Sequence, residues 1–417
     1  MKKYDVIVLG GGPAGLSAAI ASANKGMNTL IIEREKRLGG ILKQCIHDGF
    51  GLVTFKEKLT GPEYAERFIK LVTEMNIPIL MNTFVIKVEK TDSGFELTMV
   101  NSKNGIEKIW TKSLILASGC RERTAKQVFI NGTRPAGILT AGTAQHLVNI
   151  EGYLPCKNCV ILGSGDIGLI MARRLTLEGA KVLGVYEAKS TPSGLSRNIA
   201  QCLKDFSIPL HLSTTITRIL GDERVEAVEI ARVDDNMQPI KGTEKIIECD
   251  GVILSVGLIP ENEIAEMLGI KFDNATKGPV VDQNFMTTVE GVFSCGNALH
   301  VNDLADYVSE SGKLAGENAG EYAKATPSRK FIDVKMQSDF LYVVPQLIDI
   351  SSKNKSVVLY FRVRDVKDNM LVTIKLGDNI LFSKKYMKLK PPEMERAHLD
   401  LEGDFASGKV EIFMEGY

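Results

Sequence analysis

The chain has no excess of either charge: 51 acidic and 51 basic residues leave a formal net charge of zero over 417 residues. That balance argues against a surface built for nucleic acid or an anionic membrane. No apolar run is long enough to span a bilayer, and the chain enters a strand by Val6, which leaves no room for a secretory leader, so a cytoplasmic protein is expected. Cysteines are too few and too scattered for a disulfide framework: seven, an odd number, spread along the whole length, read as reduced thiols. Cys156 and Cys159 are spaced like half a metal site, but no second pair lies near in sequence, so no metal is expected. The length suggests two or three domains with ample core.

What the sequence does have is concentrated between Tyr4 and Glu33. Val6 to Leu9 read as a buried parallel strand. Gly10, Gly12 and Gly15 follow, where a chain must turn tightly, approach a pyrophosphate and pack helix against strand. Pro13 and Ala14 open a small-residue helix whose positive end points at phosphate. Glu33 closes the next apolar strand, where a carboxylate accepts hydrogen bonds from an adenosine ribose. Strand, glycines, helix, strand and acid in that order predict dinucleotide binding.

The pattern recurs. Cys159 to Leu162 lead into Gly163, Gly165, Asp166, Ile167 and Gly168, then a helix through Arg173 and a strand from Lys181 to Glu187. The interval from Gly163 to Glu187 is 24 residues, against 23 from Gly10 to Glu33. Glu187 would repel a 2′-phosphate, so NADH is expected in preference to NADPH.

Between the echoes, Ile77 to Val88 and Phe95 to Val100 read as strands joined through a polar turn at Asn101 to Gly105. Trp110 to Gly119 reads as an apolar strand ending in glycine, with a parallel partner at Cys249 to Pro260. Ala117, Gly119 and Gly257 let backbone pass close to a ligand. A short strand ends at Gly296-Asn297, and a helix is expected from Ser309 to Ala323. Beyond Thr326-Pro327-Ser328 the sequence alternates β-branched and charged residues, which predicts a small all-β module.

These motifs together, with Ser255-Val-Gly-Leu-Ile-Pro260 and Gly291-Val-Phe-Ser-Cys-Gly-Asn297, resemble the FAD-dependent pyridine nucleotide-disulfide oxidoreductases over residues 1 to about 325. Gly119-Cys-Arg-Glu-Arg-Thr124 and Arg134 to His146 resemble the branch that holds subunits of hydrogen cyanide synthase, opine oxidase and the sarcosine oxidase α subunit. Within it the likeness is to the NAD/FAD oxidoreductases that accompany a glycerol-3-phosphate dehydrogenase. The resemblance implies an α/β fold with two Rossmann-like dinucleotide-binding domains, one for FAD and one for NAD, and a small C-terminal all-β domain. The expected boundaries are 1–125 with 251–327 for FAD, 126–250 for NAD, and 328–417 for the β domain.

Carried over by position, the resemblance implies that Gly10, Gly12, Gly15 and Glu33 hold the FAD pyrophosphate and ribose, that Gly40 approaches the cofactor, and that Val85 offers backbone to adenine. Gly163, Gly165, Asp166, Ile167 and Glu187 would hold NAD. Asn297 stands where the family usually has an Asp against the ribityl chain. Only Cys45 lies where disulfide reductases carry a cysteine pair, and the β module shows no pattern of their interface domain, which disfavours disulfide reduction.

With both cofactors on one chain, the economical reaction is hydride transfer between nicotinamide C4 and flavin N5, stacked where the nucleotide domains meet. A partner dehydrogenase or iron-sulfur subunit would exchange electrons with the flavin, with glycerol 3-phosphate as the candidate substrate of that partner, and an oligomer is expected. Cys45, with His47 beside it, is a candidate thiol for a stand-alone NADH oxidase or peroxidase; its alternative is a small buried residue. A non-catalytic FAD-holding scaffold is the third reading. Cys156 and Cys159 are weak redox candidates. Arg121, Glu122 and Arg123 are candidates for a cofactor phosphate or a hinge. Asp306, Tyr307 and Ser309 line the pyrimidine side of the flavin or cap a helix.

Overall fold

A computed structural model describes residues 1–326, 328–401 and 409–417. Pro327, the expected end of the FAD domain, lies outside the described residues. The chain divides into two compact units, Met1–Cys120 with Pro260–Tyr417, and Arg121–Ile259. No helix among the described residues is long and apolar enough to cross a membrane.

The first unit is built on a seven-stranded sheet. Lys2–Leu9 lies at its centre, parallel to Thr29–Ile32 on one side and to Gly105–Leu116 on the other. Val6, Ile7 and Val8 are fully buried, as expected for a parallel strand covered on both faces, and this is why its apolar residues run together rather than alternate. The helix Pro13–Asn24 packs on this sheet through Leu16, Ala18 and Ala19. Against it runs the helix Ala305–Lys324, longer than the stretch expected from Ser309 to Ala323. The two approach at glycine: a Cβ on Gly312 would stand 2.1 Å from the Ala14 carbonyl oxygen, and one on Gly316 2.1 Å from that of Ala18.

Two expected strands differ. Ile77 to Val88 is broken into Ile79–Leu80 and Thr83–Lys90, because Asn82 between them adopts φ +51°, a left-handed conformation that ends a strand. The strand Gly105–Leu116 is not partnered by the one after Cys249. It pairs with Val292–Ser294, while Gly251–Leu254 belongs to the second unit's five-stranded parallel sheet, between Ile138–Thr140 and Asn158–Leu162. The likeness of the two sequences reflects equivalent places in two repeated sheets. Lys181–Tyr186 and Leu210–His211 complete the second sheet, and an antiparallel sheet of Thr214–Gly221, Val225–Arg232 and Lys245–Glu248 is appended to it.

The described residues from Phe331 onward form a five-stranded and a three-stranded sheet around Phe340, Leu359, Phe361, Val372, Ile374 and Val410. The antiparallel strand Ser356–Val363 buries Val357, Leu359, Phe361 and Val363 on one face, and Tyr360 buries on the other. That second face joins the core of the first unit: Tyr342, Val344, Tyr360 and Met394 cluster with residues of the glycine-turn helices. At the edge of this junction Arg329 and Asp282 form a buried ion pair at 2.8 Å.

Candidate cofactor-binding sites

The first glycine turn brings distant residues together. Gly10 adopts φ +109°, and a Cβ there would lie 2.3 Å from the Ala117 carbonyl oxygen, so the turn passes directly over the end of the neighbouring strand. A Cβ on Gly15 would sit 1.8 Å from the Gly10 carbonyl oxygen, which is how helix and turn come into contact. Around Gly12 the space is open: the nearest atom to its added Cβ is the Gly40 Cα at 3.9 Å. Gly296 in turn packs on Ala14, whose Cβ lies 2.8 Å from an added Gly296 Cβ. Gly10, Gly12, Ala14, Gly15, Gly40, Ala117 and Gly296, scattered over nearly 300 residues, thus share one neighbourhood. Pro13 occupies the first helical turn, and no side chain among the described residues caps the helix, so its leading N–H groups are available to an anion. This opening fits a dinucleotide pyrophosphate.

Glu33 is buried and holds the turn. Its Oε2 accepts from the Gly11 N–H at 2.6 Å and its Oε1 from the Glu35 N–H at 2.8 Å. The strand bearing Val85 begins beside it, with the Thr83 N–H donating to the Glu33 carbonyl at 3.0 Å. Gly119 takes φ +76° with nothing near its Cβ position among the described residues.

The second unit repeats the turn. Gly163 adopts φ +98° over the Ser255 carbonyl oxygen at 2.1 Å, a Cβ on Gly168 would meet the Gly163 oxygen at 2.6 Å, and the Cβ position of Gly165 is open to 3.9 Å. Its helix also starts without a side-chain cap among the described residues. Glu187 accepts from the Ser164 N–H at 3.0 Å, the Ser164 hydroxyl at 2.6 Å, the Ser193 hydroxyl at 3.2 Å and the Lys189 N–H at 3.0 Å. Asp166 is turned to the protein: its Oδ1 accepts from the Leu195 N–H at 2.9 Å and the Asn198 amide at 2.7 Å. Ile167 is 38% exposed at the helix start. Gly257, at φ +98°, lies near Arg123, whose N–H donates to its carbonyl at 3.1 Å. Glu122 caps a neighbouring turn by accepting twice from the Gly142 N–H, at 2.8 and 3.0 Å.

In the first unit the segment after Gly296 is tightly held. Asn297 Oδ1 accepts from the Asn302 N–H at 3.0 Å, and its amide reaches Cys120 Sγ at 3.5 Å. Asp306 does not cap its own helix. Its carboxylate accepts from the Thr54 N–H at 2.7 Å and the Gly51 N–H at 3.2 Å, and Ser309 accepts from the Tyr64 hydroxyl at 2.9 Å. Cys45 donates to the Ile41 carbonyl at 3.4 Å. Burial pushes its thiol up to about 12, the direction opposite to activation; His47 packs against Phe50 with ring centroids 5.1 Å apart and planes tilted by 38°. Cys156 and Cys159 are buried and hydrogen-bonded to each other, which lowers the first thiol and, with burial, raises the second.

Sequence reasoning missed Gly312 and Gly316, whose four-residue spacing was a readable sign of close helix contact. It also missed His300, 1% exposed, with both ring nitrogens lacking a hydrogen-bond partner among the described residues. Burial, then the nearby Arg362 charge, pushes this imidazole down to about 3.

The pyridine nucleotide-disulphide oxidoreductase family model matches residues 4–317. The chain is 25% identical to hydrogen cyanide synthase subunit HcnB of Pseudomonas protegens over 80% of its length and 71% of that protein's. It is 22% identical to an opine oxidase subunit of Agrobacterium tumefaciens over 75% of this chain and 64% of that one. Among solved structures, thioredoxin reductase of T. acidophilum superposes with a TM-score of 0.64 at 23% identity, covering 78% of this chain and all of that one. That likeness concerns the fold. With the family match covering both glycine turns, the chain belongs to the pyridine nucleotide-disulphide oxidoreductase family, FAD- and NAD(P)-dependent oxidoreductases.

Proposed function

We propose that the chain is an FAD-dependent NAD(H) oxidoreductase serving as the electron-transfer subunit of a multi-component dehydrogenase. The observation that carries this is the repeated turn, with an open Cβ position at Gly12 and again at Gly165, each beneath an uncapped helix start. Bound flavin and nicotinamide supply the hydride chemistry themselves. The chain's part is to hold each dinucleotide by backbone N–H groups, to place Glu33 and Glu187 at the ribose ends, and to exclude a 2′-phosphate through the charge of Glu187. Gly40, Val85, Ala117, Gly119, Gly257, Gly296 and Asn297 complete the set of expected contacts. Membership of a multi-component system is supported by relatives that are themselves named as subunits, of hydrogen cyanide synthase and of opine oxidase. Glycerol 3-phosphate is the first substrate to try on the partner side.

The reading as a stand-alone peroxidase requires a reactive thiolate at Cys45, and the raised thiol argues against it. The test is anaerobic: reconstitute the chain with FAD, add NADH, and follow the flavin absorbance. Bleaching is expected, faster with NADH than with NADPH. An unbleached spectrum at excess NADH removes the reading.

A further inference from the structure

The β module reaches the segment that leads from Asn297 into the helix Ala305–Lys324 with two guanidinium groups. Arg362 ion-pairs with Asp303 and donates from Nε to the Tyr342 hydroxyl at 2.9 Å. The other oxygen of Asp303 accepts from the Met394 N–H of the module at 2.6 Å. Arg396 donates to Glu310 at 2.7 Å and lies over the Tyr307 ring, its guanidinium carbon 4.2 Å from the centroid. Both arginines are largely buried, with side chains 11% and 16% exposed. Their carboxylate partners are 32% exposed, so the pairs are partly shielded, and losing one guanidinium costs more than at a fully exposed pair.

What these arginines hold is the end of the helix that the first unit organises around its glycine turn. Asn302, next to Asp303, fixes Asn297. Asp306, next to Tyr307, fixes the backbone at Gly51 and Thr54. A displacement of Asp303 or Glu310 therefore moves, through single hydrogen bonds, the residues expected to face the ribityl chain and the pyrimidine side of the flavin. Between the clamps lie His300, Tyr360 and the Arg396 Nε, whose buried polar atoms have no partner among the described residues; apolar packing of Tyr342, Val344, Tyr360 and Met394 holds the junction as a whole, and the two ion pairs fix where the module meets Asp303 and Glu310.

We propose that the C-terminal β module is a brace for the flavin end of the first unit, and that Arg362 and Arg396 are positioning residues acting through Asp303, Glu310 and Tyr307. The inference rests on the FAD reading above, and its experiment separates the two. The holoprotein is compared with Arg396→Met, with Arg362→Met, and with the exchanged pair Arg396→Glu/Glu310→Arg. Three readouts are taken: amide hydrogen exchange over residues 299–310, FAD affinity by fluorescence, and the fine structure of the flavin band. Each methionine variant is expected to speed exchange in that segment, to weaken FAD about tenfold, ~1.4 kcal/mol, and to blur the band; the exchanged pair recovers most of the affinity. A folded Arg396→Met protein with the parent's exchange, affinity and spectrum overturns the brace. If Arg396→Met does not fold, the exchanged pair decides: a folded protein with restored affinity supports the brace, and one with lost affinity overturns it. A parent chain that takes up no FAD overturns the proposed function instead, and the brace then stands or falls on the exchange rates alone.

Discussion

The two glycine turns share a backbone and differ in what their acids hold. Glu33 and Glu187 each accept from the N–H one residue after the first glycine, Gly11 or Ser164, and from the N–H two residues after the acid itself, Glu35 or Lys189. The second acid also takes the hydroxyls of Ser164 and Ser193. A carboxylate has about two acceptor positions on each oxygen; Glu33 takes one donor on each, whereas Glu187 crowds three donors onto Oε2 and keeps a position only on Oε1. The difference teaches that the acid is first a fastener of its own turn. At the first site both carboxylate oxygens remain open to a further donor; at the second only Oε1 does.

The largest expected effect breaks the turns themselves. Gly15→Ala places a methyl 1.8 Å from a carbonyl oxygen, Gly168→Ala one at 2.6 Å. The first should cost about 3–4 kcal/mol or prevent folding, the second less, as read from urea midpoints. A costlier Gly168→Ala would show that the second turn is the stiffer of the two.

Acid should also separate the halves, because His300 lies in the first unit. Its folded value, about 3, is below the unfolded 6.5, so the unfolded chain binds the extra proton. Stability from this group is whole above pH 6.5 and is lost as pH falls towards 3, by about 2 kcal/mol at pH 5. His300→Leu removes a group with no hydrogen-bond partner among the described residues, so it should be near neutral at pH 7 and should flatten the decline between pH 6.5 and 5. Thermal melts across that range check it; a parallel decline in the variant assigns the acid loss elsewhere.

Gly12→Ala and Gly165→Ala meet no described atom closer than 3.9 Å, so each should fold normally and still obstruct a pyrophosphate. A loss of about tenfold or more, ~1.4 kcal/mol, is expected in FAD affinity for the first and NADH affinity for the second. A variant that weakens both cofactors alike would show that the turns are not independent. A smaller effect should follow from Ser193→Ala, which removes one of the three donors crowded on Glu187 Oε2. NADH should bind up to about threefold tighter, with the proposed preference over NADPH unchanged. Calorimetry measures both.

Much of this was legible because the turns are local. Gly10 to Glu33 and Gly163 to Glu187 carry their own spacing, and strand burial follows from apolar runs. The break at Asn82 was not legible, since any scan for apolar residues passes over one left-handed asparagine. The engagement of Glu187 by Ser193, and of Asp166 by Asn198, depends on a loop residue 6 positions beyond Glu187 and on a residue of the helix Ser196–Cys202, 32 positions beyond Asp166. The arginine clamps join residues 59 and 86 positions apart, across a module whose own pattern reports only strands.

The thiols offer the finest comparison of the two units. Cys45 in the first is partly exposed and pushed up to about 12 by burial; at pH 8 roughly one molecule in 10⁴ carries the thiolate. In the second unit Cys156 is lowered by its bond to Cys159 but is only 3% exposed. One site has access without a thiolate, the other a favoured thiolate without access, so neither should react quickly. Native alkylation with iodoacetamide at pH 8, mapped by mass spectrometry, should label both far more slowly than an unfolded control. Cys45→Ser should leave the rate of flavin bleaching by NADH unchanged. Rapid labelling of Cys45, or a slowed bleaching rate in the variant, would restore that thiol to the reaction and make the first unit the one that carries a second redox centre.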